Sequence, residues 1–311
     1  MTEIFTLTLS PSLDSATTTA KMYPEGKLRC TAPVFEPGGG GINVARAIVY
    51  LGGQAHAIFP IGGPTGEHLK ELLDREGIQT ETLTTADWTR QNLHVHVDSS
   101  GEQFRFVMPG AQLTQSEFDQ LAQRVNAIPA GSILVISGSL PPGTPLEKLI
   151  ELVQQAKANG LQCIIDSSGD ALKACLDLGG IALVKPNQNE LSALIGRALE
   201  DPDDVRNAAK ELVQSGAAER VVVSLGPQGA LAVDRDHCVQ VVPPPVKKMS
   251  TVGAGDSMVG AMTLKLSQGA DLIDTVRFGV AAGSAATLNL GTRLCSLEDT
   301  LRLYGYICKS K

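Results

Sequence analysis

The sequence has no hydrophobic run long enough to cross a membrane. Its 311 residues include no stretch near the roughly 18 consecutive apolar residues that a transmembrane helix needs. The first residues, Met1 to Ile4, also lack the basic stretch with which a secretory signal peptide begins. We therefore expect a soluble, cytoplasmic protein without a membrane partner.

Basic residues are also too few for a nucleic-acid-binding protein. The chain has 26 Lys and Arg against 33 Asp and Glu, a net charge of −7, whereas a phosphate backbone needs a basic face. The six cysteines are scattered, with no Cys-x-x-Cys pair and no histidine nearby at zinc spacing. This pattern favours reduced thiols over a disulfide framework or a zinc site.

What the sequence does have is an alternation of short apolar runs with amphipathic stretches. Most of the runs are bounded by Gly, Pro, Ser or Asp, as buried strands are. The runs are Ile4–Leu9, Ala57–Ile61, Ile133–Ile136, Cys163–Ile165, Ile181–Val184, Val221–Val223 and Leu231–Val233. The stretches long enough for helices include residues 66–76, 114–127, 145–159 and 203–215. Together they predict an α/β protein with a mainly parallel sheet covered by helices on both faces.

Two segments break this alternation. Residues 93–108 contain two period-2 runs joined by a Ser-Ser-Gly turn, which predicts a hairpin, and residues 17–35 have an extended character. We expect them to pair into a small antiparallel sheet that covers a ligand or contacts a second subunit, because a free-standing sheet must protect one face and its edges. The predicted division is a core of residues 1–12, 36–88 and 109–311 and a lid of residues 13–35 and 89–108.

The strongest motif is Ser-Thr-Val-Gly-Ala-Gly-Asp at residues 250–256, which is followed by an apolar helical stretch. Small residues let the backbone approach a ligand, and the N–H groups of a helix that begins here would face an anion such as phosphate. Asp256 would then lie in the first turn, where a carboxylate can remove a proton from an attacking hydroxyl. The competing interpretation is that Asp256 only complements the helix dipole.

A second glycine cluster, Gly38 to Gly41, precedes Asn43 and another helical run. No frame of it matches the Gly-x-Gly-x-x-Gly of dinucleotide-binding folds, and the chain contains no P-loop. A nucleotide must therefore bind by another architecture. The glycines could admit a sugar whose hydroxyls bond to Asn43, or they could form a turn with Asn43 as a helix cap.

The two glycine clusters together resemble the two signatures of the PfkB, or ribokinase-like, carbohydrate kinases. The resemblance extends over essentially the whole chain, through further segments at residues 6–14, 137–143, 166–169, 185–190 and 224–229. It implies a ribokinase-like three-layer α/β sandwich with a small β-sheet lid, and often a homodimer formed through the lids. The opening residues and the Ser-Gly-Ser-Leu-Pro-Pro-Gly loop at residues 137–143 resemble the phosphosugar branch of the family.

The resemblance assigns roles to residues of the catalytic and sugar sites. Asp256 matches the base that deprotonates the sugar hydroxyl, and the amides of Gly253, Ala254 and Gly255 match the anion hole. The sugar hydroxyls would bind to Asp14, Gly39 and Asn43. Because a phosphosugar needs local positive charge and donors in an acidic protein, we add Lys27, Arg90 and Ser139 as phosphate-binding candidates. Lys27 and Arg90 could equally be solvated surface charges.

The resemblance also implies a nucleotide site and a magnesium site. The nucleotide-binding candidates are Lys185, Asn187, Ser224, Gly226, Gly229 and Ser284. Asn187 and Glu190 match the family's Asn-x-x-Glu element, in which the Glu holds Mg²⁺ through water. The same spacing is a helix capping box that needs no metal, and residues 224–229 could be only a tight turn.

A monovalent cation, expected here to be K⁺, is bound by carbonyl groups beside the anion hole in this family. The matching positions are Ser250, Val252, Ala286, Asn289, Gly291 and Arg293. The family signature usually begins with Asp where this chain has Ser250. Because carbonyl oxygens do much of the binding, the expectation of a K⁺ site is kept.

The resulting hypothesis is ATP- and Mg²⁺-dependent transfer of the γ-phosphoryl group to the 1-hydroxyl of fructose 6-phosphate, as in glycolysis. Alternatives with the same chemistry are phosphorylation of tagatose 6-phosphate or of fructose 1-phosphate, since epimers differ only in the direction of one hydroxyl. From a different class, a non-catalytic sugar-phosphate sensor would not need Asp256, because binding alone requires no base.

Overall fold

The computed structural model of the protein describes residues 2–289, 291 and 293–309, which form two β-sheets and the helices that cover the larger one. Residues 1, 290, 292, 310 and 311, which the predicted core segments include, lie outside the described residues. The strands are β1 (Ile4–Leu7), β2 (Ser12–Thr19), β3 (Val34–Gly38), β4 (His56–Ile61), β5 (Gln79–Thr84), β6 (Arg90–Val97), β7 (Gln103–Phe106), β8 (Ile133–Ser137), β9 (Gln162–Asp166), β10 (Leu183–Val184), β11 (Val221–Ser224), β12 (Ala230–Val233) and β13 (Cys238–Val241).

The larger sheet is mainly parallel, as the alternation of runs predicts. Within the described residues its strand order is β13-β12-β11-β10-β9-β8-β1-β4-β5, and only the pairs β11–β12 and β12–β13 are antiparallel. Every predicted apolar run contributes to this sheet. The edge strands β5 and β13 were not predicted, because each has only one buried residue and neither contains a continuous apolar run.

The helices form two layers around this sheet. They are α1 (Gly40–Tyr50), α2 (Gly63–Arg75), α3 (Gln115–Asn126), α4 (Leu146–Ala158), α5 (Gly169–Asp177), α6 (Gln188–Ile195), α7 (Pro202–Gln214), α8 (Ala254–Ser267), α9 (Leu272–Ala286) and α10 (Leu297–Lys309). Helices α1, α2, α8, α9 and α10 cover one face, and α3 to α7 cover the other. None of the helices in the described part of the chain is long and apolar enough to cross a membrane.

Central strands have apolar residues on both faces because both faces are buried. In β8, Ile133 and Val135 belong to the core on one side of the sheet, whereas Leu134 and Ile136 belong to the core on the other. This is the reason for the continuous apolar runs. The predicted three-layer α/β sandwich is therefore confirmed.

The second sheet contains the predicted hairpin, with β6 and β7 paired antiparallel. Its strand order is β3-β2-β6-β7. The expected antiparallel arrangement holds for β2–β3 and β6–β7, whereas β2 and β6 run parallel from Ser12 opposite Arg90 to Thr19 opposite Val97. A parallel pair needs a long crossover, and here the connection runs through α1, β4, α2 and β5 of the main body.

Helices α1 and α8 pack at a contact that has no room for an added side chain. A Cβ atom on Gly260 would lie 2.8 Å from Ala47 Cβ and 3.0 Å from the carbonyl oxygen of Val44. Asn43 and Asp256 each precede this contact by four residues, and residues four apart share a helix face. The close packing therefore brings Asn43 and Asp256 opposite each other.

We expect Gly260→Ala to lower the free energy of unfolding by about 1 to 3 kcal/mol, because the added methyl group forces the two helices apart. The matched control is Gly305→Ala in α10, where no surrounding group of the described residues lies within 4 Å of the added Cβ. The control should gain roughly 0.5 to 1 kcal/mol from the higher helix propensity of alanine. Urea denaturation measures both changes, and equal effects in the two variants would contradict the packing argument.

Candidate active site

The motif at residues 250–256 forms the beginning of α8, as predicted. Gly253 precedes the helix with φ of 73°, a left-handed conformation that glycine adopts without steric cost. Among the described residues no side chain caps this end of the helix, and the Ala254 N–H makes only a long hydrogen bond, 3.4 Å, to the Thr251 carbonyl. The amides of Gly253, Ala254 and Gly255 thus surround a helix N-terminus, which favours a bound anion.

Asp256 lies in the first turn of α8 and accepts a hydrogen bond of 2.9 Å from Asn43 Nδ2. Burial and repulsion by Asp166 raise the pKa of Asp256 to about 7, while the Asn43 bond and the charges of Lys185 and Arg46 act in the opposite direction. A carboxyl group with a pKa near neutrality can accept a proton from a hydroxyl. These surroundings favour proton transfer over a role limited to the helix dipole.

Asp166, at the end of β9, is a site residue that the sequence analysis missed. Its Oδ2 accepts a hydrogen bond of 3.0 Å from Ser137 Oγ, and its Oδ1 lies 3.3 Å from Lys185 Nζ. Burial disfavours the charge of Lys185, but the carboxylates of Asp166, Asp256 and Glu190 outweigh it and raise the pKa of Lys185. The available signal was the position of Asp166 at the carboxyl end of a parallel strand, where ligands bind in such sheets.

The glycine cluster at residues 38–41 positions α1 against the ends of β1 and β8. A Cβ atom on Gly40 would lie 2.3 Å from Ser137 Oγ, and one on Gly41 would lie 2.6 Å from the Leu7 carbonyl oxygen. These two glycines therefore allow close packing. Gly39 caps the helix with φ of 112°, so Asn43 is not the cap and its side chain reaches Asp256.

Asp14 lies on β2 and is held by two donors. Ser12 Oγ and Asn92 Nδ2 both bond to Asp14 Oδ1, at 2.7 and 2.8 Å. Asn92 was not predicted; its own Oδ1 accepts a hydrogen bond from the Met108 amide at 3.0 Å. In the described part of the chain, Asp14 Oδ2 accepts no hydrogen bond, and a Cβ atom on Gly38 would lie 2.5 Å from it. Gly38 therefore keeps the space beside this oxygen open.

The predicted nucleotide residues lie at the ends of β10 and β11. The Ser224 amide donates to the Pro186 carbonyl at 2.9 Å, which places Ser224 beside Asn187. The Asn187–Glu190 capping box is formed in both directions. Gly229 has no room for a side chain, since a Cβ atom there would lie 1.9 Å from the Val241 carbonyl oxygen, whereas Gly226 faces open space.

Two of the predicted cation positions, Ser250 and Gly291, are in contact. The Met249 and Ser250 amides both donate to the Thr287 carbonyl, at 2.8 and 3.4 Å, and Ser250 Oγ donates to the Gly291 carbonyl at 2.7 Å. The remaining predicted positions are Val252, Ala286, Asn289 and Arg293, and the predicted nucleotide residue Ser284 lies on α9 beside them. The segment at the end of α9 thus packs against the residues that lead into α8.

The phosphate-binding candidates differ in their surroundings. Arg90 donates to the carbonyl oxygens of Ser10, Pro11 and Met108, at 2.9, 3.4 and 3.0 Å. Ser139 is exposed in the loop after β8, and Lys27 is exposed between β2 and β3. Within the described residues the Lys27 ammonium has no hydrogen bond or ion pair.

An acidic side chain at a helix N-terminus, a glycine-rich helix beside it and a three-layer α/β sandwich are the features that the resemblance to carbohydrate kinases implies. The chain belongs to this class: the model of the pfkB family of carbohydrate kinases matches residues 7–300. The resemblance inferred from the two glycine clusters is confirmed.

The chain is similar to known phosphofructokinases. The chain is 68% identical to the ATP-dependent 6-phosphofructokinase isozyme 2 of Escherichia coli K12 over 309 residues, 99% of this chain and 100% of that protein. A crystal structure of E. coli phosphofructokinase-2 in complex with potassium matches with a TM-score of 0.97 at 68% identity, and one in complex with fructose-6-phosphate matches with 0.96 at 66%. Each match covers 99% of this chain and 100% of the other.

We expect Asp166→Asn to move the acid limb of the kcat/KM profile to lower pH. Activity falls as the pH drops through the pKa of Asp256, about 7, because a protonated carboxyl cannot act as a base. Removing the charge of Asp166 removes repulsion that opposes ionisation of Asp256, so that pKa decreases. Sugar phosphorylation is measured across the neutral range, with Asp177→Asn as the exposed control. A limb that stays in place would show that Asp166 does not act on the base.

Proposed function

We propose that this protein is an ATP-dependent 6-phosphofructokinase, which phosphorylates the 1-hydroxyl of fructose 6-phosphate to form fructose 1,6-bisphosphate. The observation that carries the proposal is the Asp256 carboxyl, with a pKa raised to about 7, in the first turn of α8 and hydrogen-bonded to Asn43. The similarity to the E. coli 6-phosphofructokinase supports this choice of sugar. Since both proposed substrates are metabolites of the cell interior, we place the protein in the cytoplasm.

The N-terminus of α8 supplies the chemistry of phosphoryl transfer. Asp256 removes the proton from the attacking hydroxyl. The amides of Gly253, Ala254 and Gly255 bind the transferred phosphoryl group, because helix N–H groups stabilise negative charge without reorganising. Positioning and charge neutralisation of this kind account for most of the catalysis in phosphoryl transfer.

The sugar lies between β2 and the N-terminus of α1. Asp14 accepts a hydrogen bond from a sugar hydroxyl through Oδ2, since Oδ1 already accepts hydrogen bonds from Ser12 and Asn92. The backbone at Gly39 and the amide of Asn43 contact further hydroxyls. Because the same Asn43 bonds to Asp256, the attacking hydroxyl is held next to the base.

The phosphate group of the sugar is bound by Arg90, with Ser139 and Lys27 as further donors. A guanidinium has five N–H donors, and the carbonyls of Ser10, Pro11 and Met108 accept three of them. The remaining donors are free to bind a phosphate oxygen. The backbone bonds also fix the direction of the Arg90 side chain, so its charge is in place before the sugar arrives.

The nucleotide lies along the ends of β10 and β11, where Lys185, Asn187, Ser224, Gly226 and Gly229 meet, with Ser284 on the adjacent helix. In Glu190, Oε2 is used in the capping box, whereas Oε1 remains for a metal-bound water. Glu190 therefore fits a magnesium site. The capping box and metal binding are thus compatible. Bound Mg²⁺ would neutralise charge on the phosphates.

Carbonyl groups just before α8 and at the end of α9 would hold K⁺. Ser250, Val252, Ala286, Asn289, Gly291 and Arg293 supply the candidate carbonyls. The hydroxyl of Ser250 donates to the Gly291 carbonyl and so orders these two segments without a carboxylate. The potassium complex of the E. coli relative supports this assignment. Bound K⁺ would add positive charge near the anion hole.

The alternative substrates, tagatose 6-phosphate and fructose 1-phosphate, use the same chemistry and are not favoured by the similarity to a 6-phosphofructokinase. A non-catalytic sensor is not favoured either. A protein that only binds its ligand does not need a carboxyl with a pKa near 7 beside a helix N-terminus.

The second sheet acts as the lid and as the contact between two copies of the chain. In this proposal residues 13–35 and 89–108 form the lid, and residues 1–12, 36–88 and 109–311 form the core. The lid exposes large apolar side chains on its edge strands and just beyond them. They are Val34, Phe104, Phe106, Val107 and Met108, which are 37 to 65% exposed. A second lid would cover this surface and both free edges.

The test of the proposed activity is a panel assay of ADP release with each candidate sugar. We expect fructose 6-phosphate to give the highest kcat/KM, and unphosphorylated fructose to give little activity because it lacks the anion that Arg90 binds. Asp256→Asn should lower kcat by at least about 100-fold, the low end for losing a general base. Turnover within a few-fold of the parent would remove Asp256 from the mechanism, and a preference for another sugar would refute the assignment.

We expect Phe106→Asp to shift the protein from dimer to monomer in sedimentation velocity, because a charge would be buried in the lid contact. Leu301→Asp in α10 is the matched control, since Leu301 is also exposed, at 51%, but lies outside the lid. A dimer that survives Phe106→Asp, or dissociates equally in the control, would place the contact elsewhere.

A further inference from the structure

Arg46 is a buried cation of α1 that none of the roles above uses. It is 4% exposed, and its guanidinium contacts four groups. Arg46 Nε and Nη2 donate to the two carboxylate oxygens of Glu76 at 2.7 and 2.8 Å. Nη2 also donates to Tyr50 Oη at 3.2 Å. Nη1 donates to the Pro37 carbonyl at 3.1 Å and to Asn43 Oδ1 at 3.3 Å. The contact with Asn43 connects Arg46 to the site.

The Asn43 amide lies between Arg46 and Asp256. Its oxygen accepts from Arg46, and its nitrogen donates to Asp256 Oδ2 at 2.9 Å. A guanidinium is only a donor and an ionised carboxylate only an acceptor. If the Asn43 amide were reversed, its N–H group would therefore face the N–H of Arg46, and its oxygen would face an oxygen of Asp256.

Arg46 itself is held in place from the opposite side. Glu76 binds the guanidinium in a two-point arrangement, and Tyr50 Oη donates to the same carboxylate at 2.8 Å. Such bidentate pairs fix geometry as well as charge. A connected set of hydrogen bonds thus runs from Glu76 through Arg46 and Asn43 to Asp256.

We propose that Arg46 is a positioning residue of the kinase reaction: it orients the Asn43 amide so that its N–H group is directed at the base Asp256. The proposal rests on the proposed function of Asp256. It predicts that the effect of Arg46 on turnover passes through Asn43 and disappears when Asn43 is removed.

The test is a double-mutant cycle of Arg46→Met and Asn43→Ala, measured as kcat with saturating ATP and fructose 6-phosphate. Glu76 is left unchanged in all four proteins, because its side chain is 24% exposed and its carboxylate can be solvated when Arg46 is removed. With Asn43 present, Arg46→Met should lower kcat by about tenfold, as expected for a lost hydrogen bond to a charged group. With Ala at position 43, the same change should alter kcat by less than about twofold.

A second readout separates positioning from folding. In the presence of Asn43, Arg46→Met should also move the acid limb of the pH profile to higher pH, because Asp256 loses a directed donor and a nearby positive charge. Because the charge of Arg46 acts on Asp256 even without Asn43, a positioning role requires a larger shift of the limb with Asn43 present than with Ala at position 43. Arg75→Met is the matched control, since Arg75 pairs only with the exposed Glu71 in the described residues, and it should leave both kcat and the limb unchanged.

Equal losses of kcat from Arg46→Met with and without Asn43 would overturn the proposal. If Arg46→Met does not fold, as judged by circular dichroism, Arg46→Lys takes its place in the cycle, since an ammonium cannot reach Glu76, Pro37 and Asn43 together. Failure of the proposed function gives a different result. In that case the starting protein does not phosphorylate fructose 6-phosphate, or Asp256→Asn retains turnover.

Discussion

The geometry of the site depends on the close packing of α1 against α8. At Gly260 and Ala47 the two helices approach so closely that a side chain does not fit between them. One turn earlier, this separation lets the Asn43 amide bridge to the Asp256 carboxyl. Both helices begin at glycine-rich turns, and Gly255 at the N-terminus of α8 lies close to Lys185, which follows β10.

The electrostatic balance around Asp256 follows from that placement. Asp166 and Glu190 lie near the same buried lysine as Asp256, so three carboxylates share one ammonium group. Burial is the main cause of the raised pKa of Asp256, and this arrangement adds repulsion from Asp166. The arrangement also leaves negative charge that suits a bound cation, which agrees with the proposed use of magnesium with ATP. Local hydrogen-bond donors and a bound cation would let an acidic protein with net charge −7 bind two phosphorylated substrates.

The lid and the core are joined at the proposed sugar site. Arg90, at the start of β6, bonds to the backbone of Ser10 and Pro11 after β1 and of Met108 after β7. Asn92 connects Asp14 to Met108. The parallel pairing of β2 with β6 brings these segments together. Substrate recognition therefore depends on strands whose pairing is made by a crossover through the core.

The sequence by itself determined the elements and the local motifs. Continuous apolar runs predicted the central strands, because both of their faces are buried. The glycine clusters predicted the starts of α1 and α8, and the spacing of Asn187 and Glu190 predicted a capping box that is formed. These features depend on residues that are near one another in the chain, and the resemblance to carbohydrate kinases rests on the same local motifs.

Only the tertiary structure decided which side chains meet. Asn43 and Asp256 are 213 residues apart, and Arg46 and Glu76 are 30 apart. The structure also separated glycines that allow close packing, such as Gly40 and Gly260, from Gly38, which keeps space open beside Asp14. Asp166, Asn92 and Arg46 have no distinctive local pattern. Their roles arise from burial and from partners on distant segments, and periodicity or spacing along the chain does not encode such contacts.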